Sequence, residues 1–190
     1  MKTMKLAAAA AALSLAFGAQ VFAADTATMT KEEYKATKDR IDADYKTAKE
    51  RCDAMTGNAK DVCQKEAKGN ENVAKAELDA RQKNTDKARR EALEAKADAQ
   101  YAVAKEKCDD LSGNQKDVCV KDAKAVEQRA KADIKSGAVG SSATVSTDDK
   151  KDARQDATEA TYEAAKERCD SMSGDAKDRC IADAKARYNK

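Results

Sequence analysis

The chain has 190 residues, with 37 basic and 35 acidic side chains, no histidine, tryptophan or proline, and a mean hydropathy of −0.86. Such a composition does not build a large aromatic core; rich in Ala, Lys, Glu, Asp and Arg, it points to long solvated helices. The absence of histidine, the commonest general base, argues against an enzyme, and the absence of a basic segment argues against nucleic-acid binding.

The chain opens "MKTMKLAAAAAALSLAFGAQVFAAD". A basic start (Lys2, Lys5), an apolar stretch from Leu6 to Phe17 and the small-residue ending Val21-Phe22-Ala23 follow the plan of a secretory signal peptide, with cleavage expected between Ala23 and Ala24. The alternative, a membrane anchor, needs about 20 apolar residues. No cysteine follows the cut, so no lipid anchor is expected. Removing residues 1–23 takes two of the 37 basic residues, leaving 35 against 35 acids, and removes both phenylalanines. The expected mature product is exported, soluble and formally neutral, with no stable membrane anchor.

Beyond it, one module occurs three times. Tyr45–Lys68, Tyr101–Lys124 and Tyr162–Lys185 align without a gap over 24 positions, half of them identical in all copies. Before each first cysteine a helical seam recurs at spacings of three and four: Ile41, Tyr45, Ala48, Cys52, Met55; then Ala97, Tyr101, Ala104, Cys108, Leu111; then Thr158, Tyr162, Ala165, Cys169, Met172. A second seam runs Cys119, Ala123, Val126, Ala130, Ile134. Between the seams stands a turn signal: Gly57-Asn58, Gly113-Asn114 and Gly174-Asp175. Glycine suits the position past a helix end, and Asn or Asp suits the N-cap of the next helix.

The predicted elements follow in order. A first helix starts at a Thr30 capping box and runs to about Thr56. The second runs Asn58–Lys83, with a potential interruption at Gly69-Asn70. Asn84-Thr85 either caps a third helix reaching Ser112 or lets the two fuse. The fourth is Asn114–Lys135, the fifth Asp148–Ser173, the sixth Asp175–Tyr188. "SGAVGSSATVST" (Ser136–Thr147) reads as a flexible linker. The expected fold is all-α: three αα-hairpin modules, at 24–84, 85–135 and 148–190, elongated or coiled-coil-like rather than compact. Acid-before-base pairs four apart (Asp42/Lys46, Glu77/Arg81, Asp79/Lys83, Asp86/Arg90, Glu127/Lys131) read as solvated helix faces or, less simply, as a charge-patterned docking surface.

Six cysteines in an exported chain imply disulfides. If the backbone turns at each glycine, cysteines about five residues either side stand roughly 7 Å from the corner on facing arms, within the ~4.4–6.8 Å Cα separation a disulfide needs. This pairs Cys52 with Cys63, Cys108 with Cys119 and Cys169 with Cys180. An unbroken helix would instead hold the two thiols ~16 Å apart, open only to another chain. A third reading keeps the thiols reduced for Cu(I), Zn(II) or redox switching. No catalytic, metal-binding or cofactor-binding residue is assigned.

The modules "KERCDAMTGNAKDVC", "KEKCDDLSGNQKDVC" and "KERCDSMSGDAKDRC" resemble a group of exported, Ala/Lys-rich proteobacterial proteins often labelled cell-envelope-biogenesis or TolA-like. The resemblance implies a periplasmic location and helicity, and supplies no catalytic residue. To TolA itself the likeness is confined to its charged helical middle, so TolA's function is not carried over. A structural or interaction role with an envelope partner is the leading expectation, with a metal- or redox-responsive protein and a chaperone-like stress protein as alternatives; the oligomeric state is left open.

Overall fold

Helix 1 (α1, Lys31–Asp53) begins where Thr30 accepts a hydrogen bond from the Glu33 amide while the Glu33 carboxylate accepts one from the Thr30 amide, a reciprocal cap. The computed structural model describes residues 29–137 and 146–190. The signal-peptide reading of residues 1–23, and residues 138–145 of the expected linker, lie outside them.

The described residues form five further α-helices: α2 (Gly57–Lys83), α3 (Asp86–Lys107), α4 (Gly113–Ser136), α5 (Thr147–Cys169) and α6 (Gly174–Tyr188), with a single 3₁₀ turn at Cys108–Asp110. The leading arms stop earlier than their sequences led us to expect. Helix α1 ends at Asp53 rather than near Thr56, and α3 at Lys107 rather than Ser112. Gly57, Gly113 and Gly174 open the following helix with φ of +59°, +54° and +55°; they do not close the preceding one. The residues before them, Thr56, Ser112 and Ser173, take the extended N-cap position. Asn58, Asn114 and Asp175 therefore sit inside the first turn and do not cap it.

This early ending corrects the seams. Met55, Leu111 and Met172 lie past the helix end and are 45 %, 41 % and 45 % exposed, so they are corner residues and do not belong to the core. Val126 is also exposed, and α4 buries Ala125, Glu127, Ala132 and Ile134 instead. Thr158 is exposed, while Ala153 and Ala157 on the same helix are buried.

Gly69-Asn70 does not interrupt α2, which runs unbroken. Gly69 is buried at a close approach to α3: a Cβ there would stand 2.9 Å from the Ala99 Cβ. Asn84 breaks the chain between α2 and α3 in a left-handed conformation, and the Thr85 hydroxyl accepts from the Ala88 amide to start α3.

Each helix packs on its neighbours in chain order. Contacts at two depths fix all five neighbours as antiparallel: Cys52–Cys63 and Asp42–Lys75, Lys65–Glu106 and Gly69–Ala99, Cys108–Cys119 and Asp98–Lys131, Asp122–Arg168 and Ala132–Ala157, Cys169–Cys180 and Tyr162–Tyr188. Because α2 packs extensively on α3, and α4 on α5, the packing is compact where an elongated arrangement was expected. The inter-helix core is mostly alanine; Ala132, Ala153 and Ala157 cluster between α4 and α5, and Leu78 is the largest fully buried side chain. Alternating direction brings the corners at 54–56, 111–112 and 170–173 to the same end of the array. Among the described residues, no helix is long and apolar enough to cross a membrane.

Candidate functional site

The corner is built identically three times. Disulfides link Cys52 to Cys63, Cys108 to Cys119 and Cys169 to Cys180, with Cα separations of 5.4, 5.7 and 5.7 Å, and no cysteine is free. Cys52, Cys108 and Cys169 are essentially inaccessible to solvent. Directly after each of them an aspartate pairs with the lysine three residues before the second cysteine: Asp53 with Lys60 at 3.3 Å, Asp109 with Lys116 at 2.9 Å, Asp170 with Lys177 at 2.8 Å. The hydrogen bond from Lys177 holds the Asp170 carboxyl below its usual range, and the bond to Asp109 raises Lys116. Water screens exposed pairs of this kind, so they orient the corner more than they stabilise it.

A second constellation lies about one to three helical turns from each disulfide. In the first module Lys68 stands 5.3 Å from the centre of the Tyr45 ring and bonds Glu71 at 2.8 Å; Lys75 bonds the same glutamate at 2.6 Å and Asp42 of α1 at 2.7 Å. The second module repeats the arrangement: Lys124 over Tyr101 at 5.0 Å, Glu127 held by Lys124 at 2.7 Å and Lys131 at 2.9 Å, and Lys131 on Asp98 at 2.5 Å. In the third, Tyr188 takes the place of the glutamate and meets Tyr162 edge to face at 6.3 Å, while Lys190 lies over Tyr162 and pairs with Glu159. Lysine over tyrosine and carboxylate beside it fix the two arms in register.

Glu71 and Glu127 were not singled out as buried from the sequence; Glu127 entered only as half of a solvated pair. They are 7 % and 6 % exposed. The available signal is periodic: a glutamate eight residues after the second cysteine in two modules, flanked in both by lysines at five and twelve. Of the other acid–base pairs, Asp79–Lys83 forms at 3.0 Å, Asp42 reaches across to Lys75, and Asp86 takes Arg89.

Burial works to raise the Glu71 carboxyl, but hydrogen bonds from Lys68 and Lys75 outweigh it and hold the group below the usual 4.5. Glu127 behaves likewise: burial against it, Lys124 and Lys131 for it, with a net lowering. A carboxylate locked ionised between two lysines is a poor proton donor at neutral pH, so the arrangement clamps helices and does not cycle protons. The sign for stability follows directly. A carboxyl lowered in the fold contributes fully above about 4.5, and that contribution is lost as pH falls through the folded value. Replacing Glu71 and Glu127 together with Gln is expected to flatten the acid limb of a Tm-against-pH curve below about pH 4.5, with Tm at pH 7 reduced. An unchanged acid limb would show that the two clamps do not couple to folding.

The modules also share the surface on which they meet. Lys107 pairs with Glu66 at 3.3 Å between α3 and α2. Arg168 pairs with Asp122 at the corresponding positions of α5 and α4. At the same junction the Asn114 amide donates to the Glu167 carbonyl at 3.0 Å. Asn58, at the equivalent position of the first module, does not repeat this bond: its Nδ2 is buried without a partner among the described residues. Among the described residues, no group of three or more His, Cys, Asp or Glu is placed to hold a metal.

Compared with family models, curated proteins and solved structures, the chain matches none of them.

Proposed function

We propose that the chain is an exported, non-enzymatic helical repeat protein of the periplasm, made of three disulfide-stapled hairpins and serving as an interaction or structural component of the cell envelope. The observation that carries this reading is the reuse of a single junction. Glu66–Lys107 and Asp122–Arg168 occupy equivalent positions between successive modules, as in arrays whose repeats contact only their neighbours. Such arrays present surface and have no enclosed site, and the acidic groups here are committed to lysines. The disulfides support an oxidising compartment. Burial of Cys52, Cys108 and Cys169 weighs against a redox- or metal-responsive role, because thiolate chemistry needs access.

The test is cross-linking in intact cells followed by capture of the oxidised protein, beside a deletion strain scored for envelope integrity. A specific cross-linked partner or an envelope defect is expected; neither appearing would overturn the role. Intact mass of the captured protein separates the alternatives. A product lacking residues 1–23 with no thiol open to alkylation fits the proposal, whereas several alkylated cysteines point to the redox or metal reading.

A further inference from the structure

In the first module the returning helix covers the whole length of its partner, and in the second it covers all but about the first two turns. Helix α2 continues from Cys63 to Lys83, where Asp79 accepts a hydrogen bond from Tyr34 near the start of α1 at 2.6 Å; α4 continues from Cys119 to Ser136. Helix α6 stops at Tyr188, closed by Asn189 in a left-handed conformation. The first half of α5 therefore lacks the cover that α1 and α3 receive. A groove of about 800 Å³ lies there, bordered by Lys150, Lys151, Arg154, Thr158 and Lys190, with Asp156 and Glu159 as its acidic members.

The side chains on this face have changed in step with the missing cover. Counting back from the first cysteine of each module, the position filled by buried Ile41 in α1 and buried Ala97 in α3 is held by exposed Thr158 in α5. One turn earlier, Thr37 and Leu93 give way to Arg154, and at the position before that Tyr34 and Arg90 correspond to Lys151. Where α1 and α3 place Ile41 and Ala97 under the returning helix, this face carries Thr158, with Arg154 and Lys151 along it. Lys190 is engaged by Glu159, whereas Lys150, Lys151 and Arg154 make no ion pair to another described residue. Three cations are thus uncommitted along the stretch of α5 that lies beyond the end of α6.

We propose that this groove is a docking site for an acidic helical segment of a partner protein, which lies antiparallel to α5 where the second half of α2 or α4 lies in the other modules. Its carboxylates meet Lys150, Lys151 and Arg154, and its small residues pass over Thr158. The proposal rests on the interaction role above and names the surface and partner class for it.

The test uses the full oxidised chain and a fluorescein-labelled 16-residue helical peptide with glutamate at every fourth position on one face and alanine elsewhere, beside its lysine counterpart. Fluorescence anisotropy is expected to show saturable binding of the glutamate peptide only, weakening as salt is raised. Lys151→Glu with Arg154→Glu is expected to weaken binding at least about tenfold, because each uncommitted rim charge contributes to the encounter. The control pair Lys46→Glu with Lys49→Glu, on an exposed part of α1, is expected to leave it unchanged. No saturable binding up to about 1 mM peptide, an equal loss in the control pair, or binding only to phosphatidylglycerol vesicles would each overturn the proposal. Cross-linked partners that persist in the Lys151/Arg154 variant would refute this groove while leaving the broader interaction role standing.

Discussion

Replacing Cys108 and Cys119 together with alanine is expected to destabilise the fold by about 3 kcal/mol, the chain-entropy value for a closed loop of this size. For a chain of this length that corresponds to a Tm lower by roughly 6–12 °C. The middle disulfide is the informative one, because α3 and α4 each pack on a neighbouring module as well as on each other. With no free cysteine in the native protein, reduction opens all three bonds. If the three contributions add, the total is about 9 kcal/mol, comparable to the whole stability of an ordinary domain. Circular dichroism melts with and without reductant check this directly. A reduced protein that melts with its oxidised form would show that helix packing alone carries the fold.

Leu78→Ala is expected to cost about 3 kcal/mol, within the range for truncating a fully buried leucine. Leu78 is 1 % exposed and is the largest fully buried side chain among the described residues, in a protein whose buried residues are otherwise chiefly alanine. Urea titration should show a lower midpoint with an unchanged slope, the mark of lost native stability without a change in the unfolded chain. Leu78→Met, which keeps the volume, is expected to cost less than about 1.5 kcal/mol. A loss below about 0.5 kcal/mol for Leu78→Ala would place that side chain outside the packed interior.

That the chain is helical and disulfide-bonded was legible in its composition and in the repeated cysteine spacing, because both depend on local geometry. The packing of α2 on α3 and of α4 on α5 was not. Those contacts are made by small residues, Gly69 against Ala99 and Ala132 with Ala153 and Ala157, which on a charged helix look no different from solvated positions. Gly69 even read as a break, although its lack of a side chain is what lets α3 approach. Met55, Leu111 and Met172 were misplaced for a different reason. The helical period was carried past the cysteine, whereas the backbone leaves the helix within two residues of it. Glu71 and Glu127 show the reverse error: in a sequence full of carboxylates, nothing in residue type marks the two that lie inside. Lys151, Arg154 and Thr158 drew no notice because their meaning comes only from comparison with Tyr34, Thr37 and Ile41 once the covering helix is seen to stop short.

All three sulfur bridges lie where the chain turns at one end of the array, and the opposite end, at Asn84-Thr85, has none. Each bridge rivets the two arms of one corner and no corner to another, since successive helices α2 and α3 are joined by backbone at the far end. Within a hairpin the arms can therefore splay away from the corner without any covalent link breaking, and they return to the same partner when they close. A hairpin held in this way tolerates breathing at its open edge while the pairing of its arms stays fixed.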